Sequence, residues 1–227
     1  SDHKFGVNIE KQRIIVIDYS SPNVAKTMHV GHLRSTVIGD ALNRMLTYKG
    51  HHVVPENHIG DWGTPFGMLI EHYLELESVA VEDIDLESFY KQARLKFDED
   101  QDFANKSRNR VVKLQSGDES TLELWQQLVD ISLAHFNDVY QKLGVLLTDQ
   151  DLAGESKYEI LLPEVVNRLE QANLLVFSQG AEVVFPEGWV NREGEPLPLI
   201  IRKGDGGFNY ATTDLACIID RVENIGS

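Results

Sequence analysis

The chain has 227 residues, 42% hydrophobic and 25% charged, as expected for a soluble globular protein with one large domain or one domain carrying an insertion. Its formal net charge of −15 speaks against a general nucleic-acid surface, DNA included, because such surfaces need clustered Lys and Arg; a local patch or a site for a cationic substrate stays open. One cysteine (Cys217), no apolar run near the about 20 residues of a membrane helix, and a polar start unlike a secretory signal or transit peptide lead us to expect a cytoplasmic protein. On the same grounds we expect no disulfide, no multi-cysteine metal site and no membrane partner.

The run "RIIVID" (Arg13 to Asp18) is short, continuous and β-branched, the pattern of a parallel strand buried on both faces. From Gly31 the period changes, and Leu33, Val37, Ala41, Leu42, Met45 and Leu46 fall at helical spacing until Gly50 supplies a stop. "HHVVPENHI" then reads as a second strand starting near His51, which completes a βαβ unit. A Gly-rich turn and an amphipathic helix from about Thr64 follow. Glu82 to Asp102 is acidic with a helical pattern. The stretch from Gly117 to Val145 reads as one long helix, with Asp118 or Ser120 to cap its start and Gly144 its end. Another helix carries Pro163 near its first turn. After it, short β-type runs alternate with the turns "SQG", "REGE" and "KGDGG", as in small antiparallel hairpins, and "ATTDLACIIDRVEN" returns to helix. A buried parallel strand pair does not cover its own edges, so further strands are expected.

Ligands of parallel α/β sheets bind beyond the C-terminal strand ends. The first strand-to-helix turn, "PNVAKTMHVGHLRST" (Pro22 to Thr36), holds His29 and His32 three apart, where they can share one face of a helical first turn. Gly31 removes a side chain between them, and Lys26 supplies a flexible point charge. With the positive end of the helix, this is a candidate polyphosphate site. An isolated H-x-x-H is usually surface or core histidine; the position in the turn favours the functional reading. Zinc on His29, His32 and His58 lacks a full ligand set, so no metal site is expected.

"VIDYSSPNVAKTMHVGHLRSTVIGD" (Val16 to Asp40) resembles the first signature of class I aminoacyl-tRNA synthetases, in the form found in arginyl-tRNA synthetases. "NHIGDWGTPFGMLI" (Asn57 to Ile70), "VKLQSGDE" (Val112 to Glu119) and "GDGGFNYATTDLA" (Gly204 to Ala216) resemble further segments of that family, in the same order. The resemblance implies an α/β fold: the class I Rossmann-like nucleotide-binding fold, incomplete, with a helical plus β-hairpin insertion. The implied division is a first half over 1–80, an inserted connective region over 81–204, and the start of a second half over 205–227.

It also implies a reaction, in which L-arginine and ATP with Mg²⁺ give arginyl-adenylate and pyrophosphate, and the arginyl group then passes to tRNA(Arg). No tightly bound cofactor is expected. His29, His32 and Lys26 match residues that hold the ATP phosphates, with Gly31 between the histidines. Asp18, Ser20, Asn23, His29, Tyr210 and Asp214 match residues at or near the arginine site. Tyr210 and Asp214 are four apart, hence on one helix face, and a carboxylate suits a planar guanidinium. The family's second signature and its anticodon-binding domain find no match here, so tRNA is expected as a partner of a longer parent, and this segment alone is expected to be inactive. Two other readings are a binding module that has lost the chemistry and a small-molecule nucleotidyltransferase sharing the H-x-G-H core; the arginine-type context argues against the latter.

Overall fold

Two strands, β1 (Ile14–Asp18) and β2 (His52–Glu56), pair in parallel, with Ile14 opposite His52 and Asp18 opposite Glu56. The helix between them, α1 (Val30–Tyr48), completes the expected βαβ unit, and Gly50 takes φ 95° just past its end. These come from a computed structural model that describes residues 11–76, 80–204 and 206–227. The polar start over residues 1–10 and Asp205, the first residue of the expected closing segment, lie outside the described residues.

The burial of this unit differs from the sequence expectation in two ways. β1 is only half-buried, and Ile14 is exposed, because β1 and β2 form a sheet by themselves among the described residues. The apolar spacing locates α1 correctly, yet the face it packs is polar: Thr36, Gly39, Asp40 and Asn43 are buried, while Val37, Ile38, Leu42 and Met45 are exposed. Tight fit and hydrogen bonding explain the choice. A Cβ on Gly39 would lie 2.2 Å from Cβ of Tyr19. Asn43 donates to the Tyr19 hydroxyl (3.3 Å), and Asp40 accepts from the Leu146 N–H (2.8 Å).

Helix α2 (Thr64–Leu74) starts after Gly63, with Pro65 in its first turn. The acidic stretch expected to be helical over 82–102 holds one helix and only the start of a second, which continues to Gln115. Helix α3 (Leu86–Glu99) is capped by Asp85, and α4 (Gln101–Gln115) by Asp100, whose extended backbone breaks the run and whose carboxylate accepts from the Asp102 and Phe103 N–H groups. Helix α5 (Glu119–Leu143) matches its forecast, with Asp118 accepting from the Thr121 N–H and Gly144 closing it in the left-handed region (φ 67°). Phe66, Leu69, Phe103, Leu114, Leu128 and Phe136 form the heart of the core. These elements make one compact unit over residues 1–154.

Residues 155–227 form a second unit. Helix α6 (Leu162–Gln171) has Pro163 in its first turn, as expected. Strands β3 (Val176–Ser178) and β4 (Ala181–Val184) make a hairpin through Gln179 and Gly180, both at positive φ, and β5 (Leu199–Arg202) adds antiparallel to β4. Helix α7 (Tyr210–Ile219) closes on this sheet through the Thr212 hydroxyl, which donates to the Ile201 carbonyl (2.5 Å). No helix among the described residues is long and apolar enough to cross a membrane.

Because the Gly39 contact is with the root of Tyr19 and not a flexible tip, Gly39→Ala should destabilise the fold by about 1–3 kcal/mol. A urea melt with an unchanged midpoint would show that α1 can slide off β1 without loss.

Candidate functional site

The segment from Tyr19 to His29 leaves β1 along an unusual backbone. Ser20 (φ 73°), Ser21 (φ 47°) and Ala25 (φ 63°) all occupy the left-handed region, which costs a non-glycine residue of order 1–3 kcal/mol each. Surrounding bonds enforce it. Asp18 Oδ1 accepts from Ser21 Oγ (2.8 Å) and the His58 N–H (3.3 Å). Asn57 Oδ1 accepts from the Ser21 N–H (3.0 Å), and its Nδ2 donates to the Tyr140 hydroxyl (3.1 Å). That hydroxyl is hydrogen-bonded to Ser20 Oγ at 2.7 Å. Burial pushes the Tyr140 phenol above its ordinary pKa, so it stays neutral. Further on, Ser132 Oγ accepts from the Ala25 N–H (3.0 Å).

The loop after β2 runs beside this segment. The Val24 N–H donates to the Gly60 carbonyl, and the Gly60 N–H to the Pro22 carbonyl (3.0 and 3.1 Å). Asn23 Oδ1 lies 2.3 Å from where a Cβ on residue 60 would sit, so any side chain there would push the Asn23 amide aside. Both loops thus sit at the C-terminal end of the parallel pair, where the sheet rule places a ligand.

The two signature histidines form the start of α1 in a specific way. His29 is the N-cap, and its Nδ1 accepts from the Gly31 N–H (3.1 Å). His32 reaches back, and its Nδ1 accepts from the His29 N–H (3.2 Å). This is a capping box made of imidazoles. Because each Nδ1 accepts, each neutral ring carries its proton on Nε2, leaving two N–H donors for a ligand. The rings lie 3.9 Å apart between centroids. No acidic side chain occupies the first turn of α1, so its positive end is not neutralised there. His32 titrates below the ordinary imidazole value, mainly through desolvation, then through repulsion from His29 and Lys26.

Lys26 is exposed and rests over the Tyr90 ring of α3 (4.6 Å to its centroid), while Thr27 donates to Glu87 (3.2 Å). Of the residues expected at the arginine site, Asp18, Asn23 and His29 are exposed, while Ser20 is buried with its hydroxyl on Tyr140. In the second unit Tyr210 and Asp214 share the exposed face of α7, opposite Ala211, Thr212, Ala216 and Cys217, which are buried. His58 Nδ1 lies 2.7 Å from the Ala153 carbonyl, and no cluster of three or more metal-ligating side chains occurs among the described residues.

Tyr140, Ser132 and Asn57 escaped the sequence reading. Tyr140 and Ser132 belong to the four-residue series Leu128, Ser132, Phe136, Tyr140 on the buried face of α5, where a Tyr or Ser looks like ordinary packing. Asn57 lies within a quoted segment but carries no spacing signal.

The family described as tRNA synthetases class I (R), catalytic domain, matches residues 1–226. An arginine–tRNA ligase of Thermobifida fusca is 56% identical over 229 residues, covering 99% of this chain and 40% of that protein. One from Shewanella piezotolerans is 53% identical over 223 residues, covering 96% of this chain and 38% of the relative. The crystal structure of the Plasmodium falciparum arginyl-tRNA synthetase superposes with a TM-score of 0.77 at 32% identity, over 95% of this chain and 36% of that one. The Thermus thermophilus enzyme, with a TM-score of 0.63 and 21% identity over 95% of this chain and 37% of its own, shares the fold. The chain thus spans about two fifths of the length of these relatives.

The folded pKa of His32 is depressed, so the folded state binds fewer protons than the unfolded chain, and stability falls as pH drops below 6.5 through the folded value. Imidazole NMR should find His32 neutral at a pH where a free histidine is half-protonated. His29→Ala should move it upward. An unmoved titration would mean that the two rings do not interact electrostatically.

Proposed function

The chain belongs to the class I arginyl-tRNA synthetase catalytic-domain family, and from that premise we propose that it is the activating part of an arginine–tRNA ligase, cytoplasmic and soluble. Its fold is the Rossmann-like nucleotide-binding fold of the class, in part. The proposed reaction has two steps. The arginine carboxylate attacks the α-phosphorus of ATP, forming the acyl phosphate bond of arginyl-adenylate as pyrophosphate leaves. A ribose hydroxyl of tRNA(Arg) then attacks the acyl carbon and AMP leaves.

The imidazole capping box carries this reading. No side chain need act as nucleophile; positioning and charge stabilisation do the work. The Nε2–H groups of His29 and His32 donate to phosphate oxygens as negative charge moves onto the leaving pyrophosphate, and the end of α1 at Gly31 adds its dipole. A neutral His32 ring suits the role, because it donates without having to shed a proton to the phosphate. Lys26 has a flexible stem that lets it leave Tyr90 for a phosphate. Magnesium would enter with the nucleotide as part of the substrate. We assign Asp18, Ser20, Asn23 and His29 to the arginine side of the first unit, Ser20 through its backbone. In the second unit Tyr210 and Asp214 read the guanidinium, with the carboxylate taking two parallel hydrogen bonds. The connective region is taken as 81–204, between 1–80 and 205–227.

In the full-length protein, assayed with tRNA present, His32→Ala should slow arginine-dependent pyrophosphate exchange by about 10²–10³ and leave arginine affinity nearly intact. An unchanged exchange rate removes His32 from the mechanism. By calorimetric titration, Asp214→Asn should weaken arginine binding by about 1.5–3 kcal/mol, and L-citrulline, which keeps the shape without the charge, should bind poorly to the unaltered protein. Equal binding of arginine and citrulline would count against an acidic contact.

A further inference from the structure

The hydroxyls of α5 do something that packing does not require. Along its buried ridge Leu128, Ser132, Phe136 and Tyr140 follow at four-residue spacing, and Leu128 and Phe136 show that an apolar side chain fills such a position well. Ser132 and Tyr140 instead bring polar atoms into the core: Ser132 Oγ donates to the Leu128 carbonyl of its own helix and accepts from the Ala25 N–H, while Tyr140 Oη bonds the side chains of Ser20 and Asn57. Tyr140 meets Ser20, the first left-handed residue after β1, and Ser132 meets Ala25, the last left-handed residue before α1. The two anchors stand eight residues apart on a straight helix, about 12 Å along its axis.

We propose that Tyr140 and Ser132 are positioning residues for arginine activation: α5 is a rigid rule whose two hydroxyls hold both strained ends of the 20–25 loop and so set where Asn23, Lys26 and His29 stand. The proposal rests on the reading of this loop as the substrate site. A closed circuit supports it. The Ser21 N–H donates to Asn57 Oδ1, Asn57 Nδ2 donates to Tyr140 Oη, and Tyr140 Oη is hydrogen-bonded to Ser20 Oγ. The one phenol therefore ties the loop after β1 to the loop after β2. Tyr140 is 3% exposed and Asn57 1%, so water does not substitute for a lost bond. Without the hydroxyl, Ser20 Oγ and Asn57 Nδ2 lose that partner, and the left-handed residues lose the bond that opposes their relaxation.

The test uses Tyr140→Phe and Ser132→Ala in the full-length protein, with residue-resolved amide hydrogen exchange, melting temperature and arginine-dependent pyrophosphate exchange. Tyr140→Phe should speed exchange at the Ser21 amide by about tenfold, and Ser132→Ala should do so at Ala25, while the amides of Leu128 and Phe136 keep wild-type rates. Well below the melting temperature, Tyr140→Phe should lower kcat/KM for arginine by about 10- to 100-fold. Ser20→Ala, which removes one of the two bonds that Tyr140→Phe removes, should lower kcat/KM in the same direction but by less, and the double variant should be no worse than Tyr140→Phe alone. Wild-type kinetics despite a lower melting temperature would make the hydroxyls purely structural and overturn the proposal, as would loop amides that exchange at wild-type rates. If the unaltered protein shows no arginine-dependent exchange, the functional reading falls on its own account, and the Ser21 and Ala25 amides still decide whether α5 holds the loop.

Discussion

Everything at the candidate site depends on one strained segment staying where β1 leaves it. Three non-glycine residues between Ser20 and Ala25 adopt left-handed backbone, a conformation that would relax in a free peptide. It persists because almost every polar group near it has a partner across the fold: Asn57 and Gly60 from the loop after β2, and Tyr140 and Ser132 from α5. Buried hydrogen bonds add modest net stability, but leaving their partners unmet is expensive, so the arrangement is all or none. A loop pinned at both ends delivers the first turn of α1 in one orientation.

In that first turn a single side-chain pair caps the helix and is also the pair to which the proposed phosphate contact is assigned. A helix start needs acceptors for its N–H groups, usually a hydroxyl and a carboxylate. Here His29 and His32 take those roles through Nδ1, and the consequence is electronic: both tautomers are set, and both Nε2–H donors remain. A carboxylate in the same place would cap equally well but would repel a phosphate. Desolvation, followed by repulsion from His29 and Lys26, lowers the His32 pKa and favours its neutral ring, which would suit the proposed anion site.

The core elements follow the same division of labour. Residues beyond 80 lie far from the signature in sequence, yet α3 and α5 touch it directly, through Tyr90 on Lys26, Glu87 on Thr27, and the two α5 hydroxyls. They pack in one unit with the βαβ motif, while the hairpin sheet and α7 form the other. On α7 the buried small residues leave Tyr210 and Asp214 together on the outer face, a pairing that follows from helical periodicity alone.

Local chemistry was legible in the amino-acid order. The βαβ unit, the caps at Asp118 and Gly144, Pro163 in a first helical turn and the hairpin turns all follow from rules that act within a few residues, and the H-x-G-H stretch marks a candidate site by type and spacing. The same local rules misjudged what lies far apart. They expected β1 to be covered on both faces, and they carried the acidic helical pattern from Glu82 to Asp102 without the break that the Asp100 cap places between α3 and α4. Nor did they indicate that α1 would pack its polar side, since that depends on Tyr19 meeting the bare Gly39. Tyr140 illustrates the limit most clearly. In sequence it is one more residue on the apolar ridge of α5, and only the fold, by bringing Ser20 and Asn57 to its hydroxyl from 120 and 83 residues away, makes it part of the site. Periodicity and caps are encoded locally, whereas hydrogen bonds between distant side chains exist only once the chain has closed on itself.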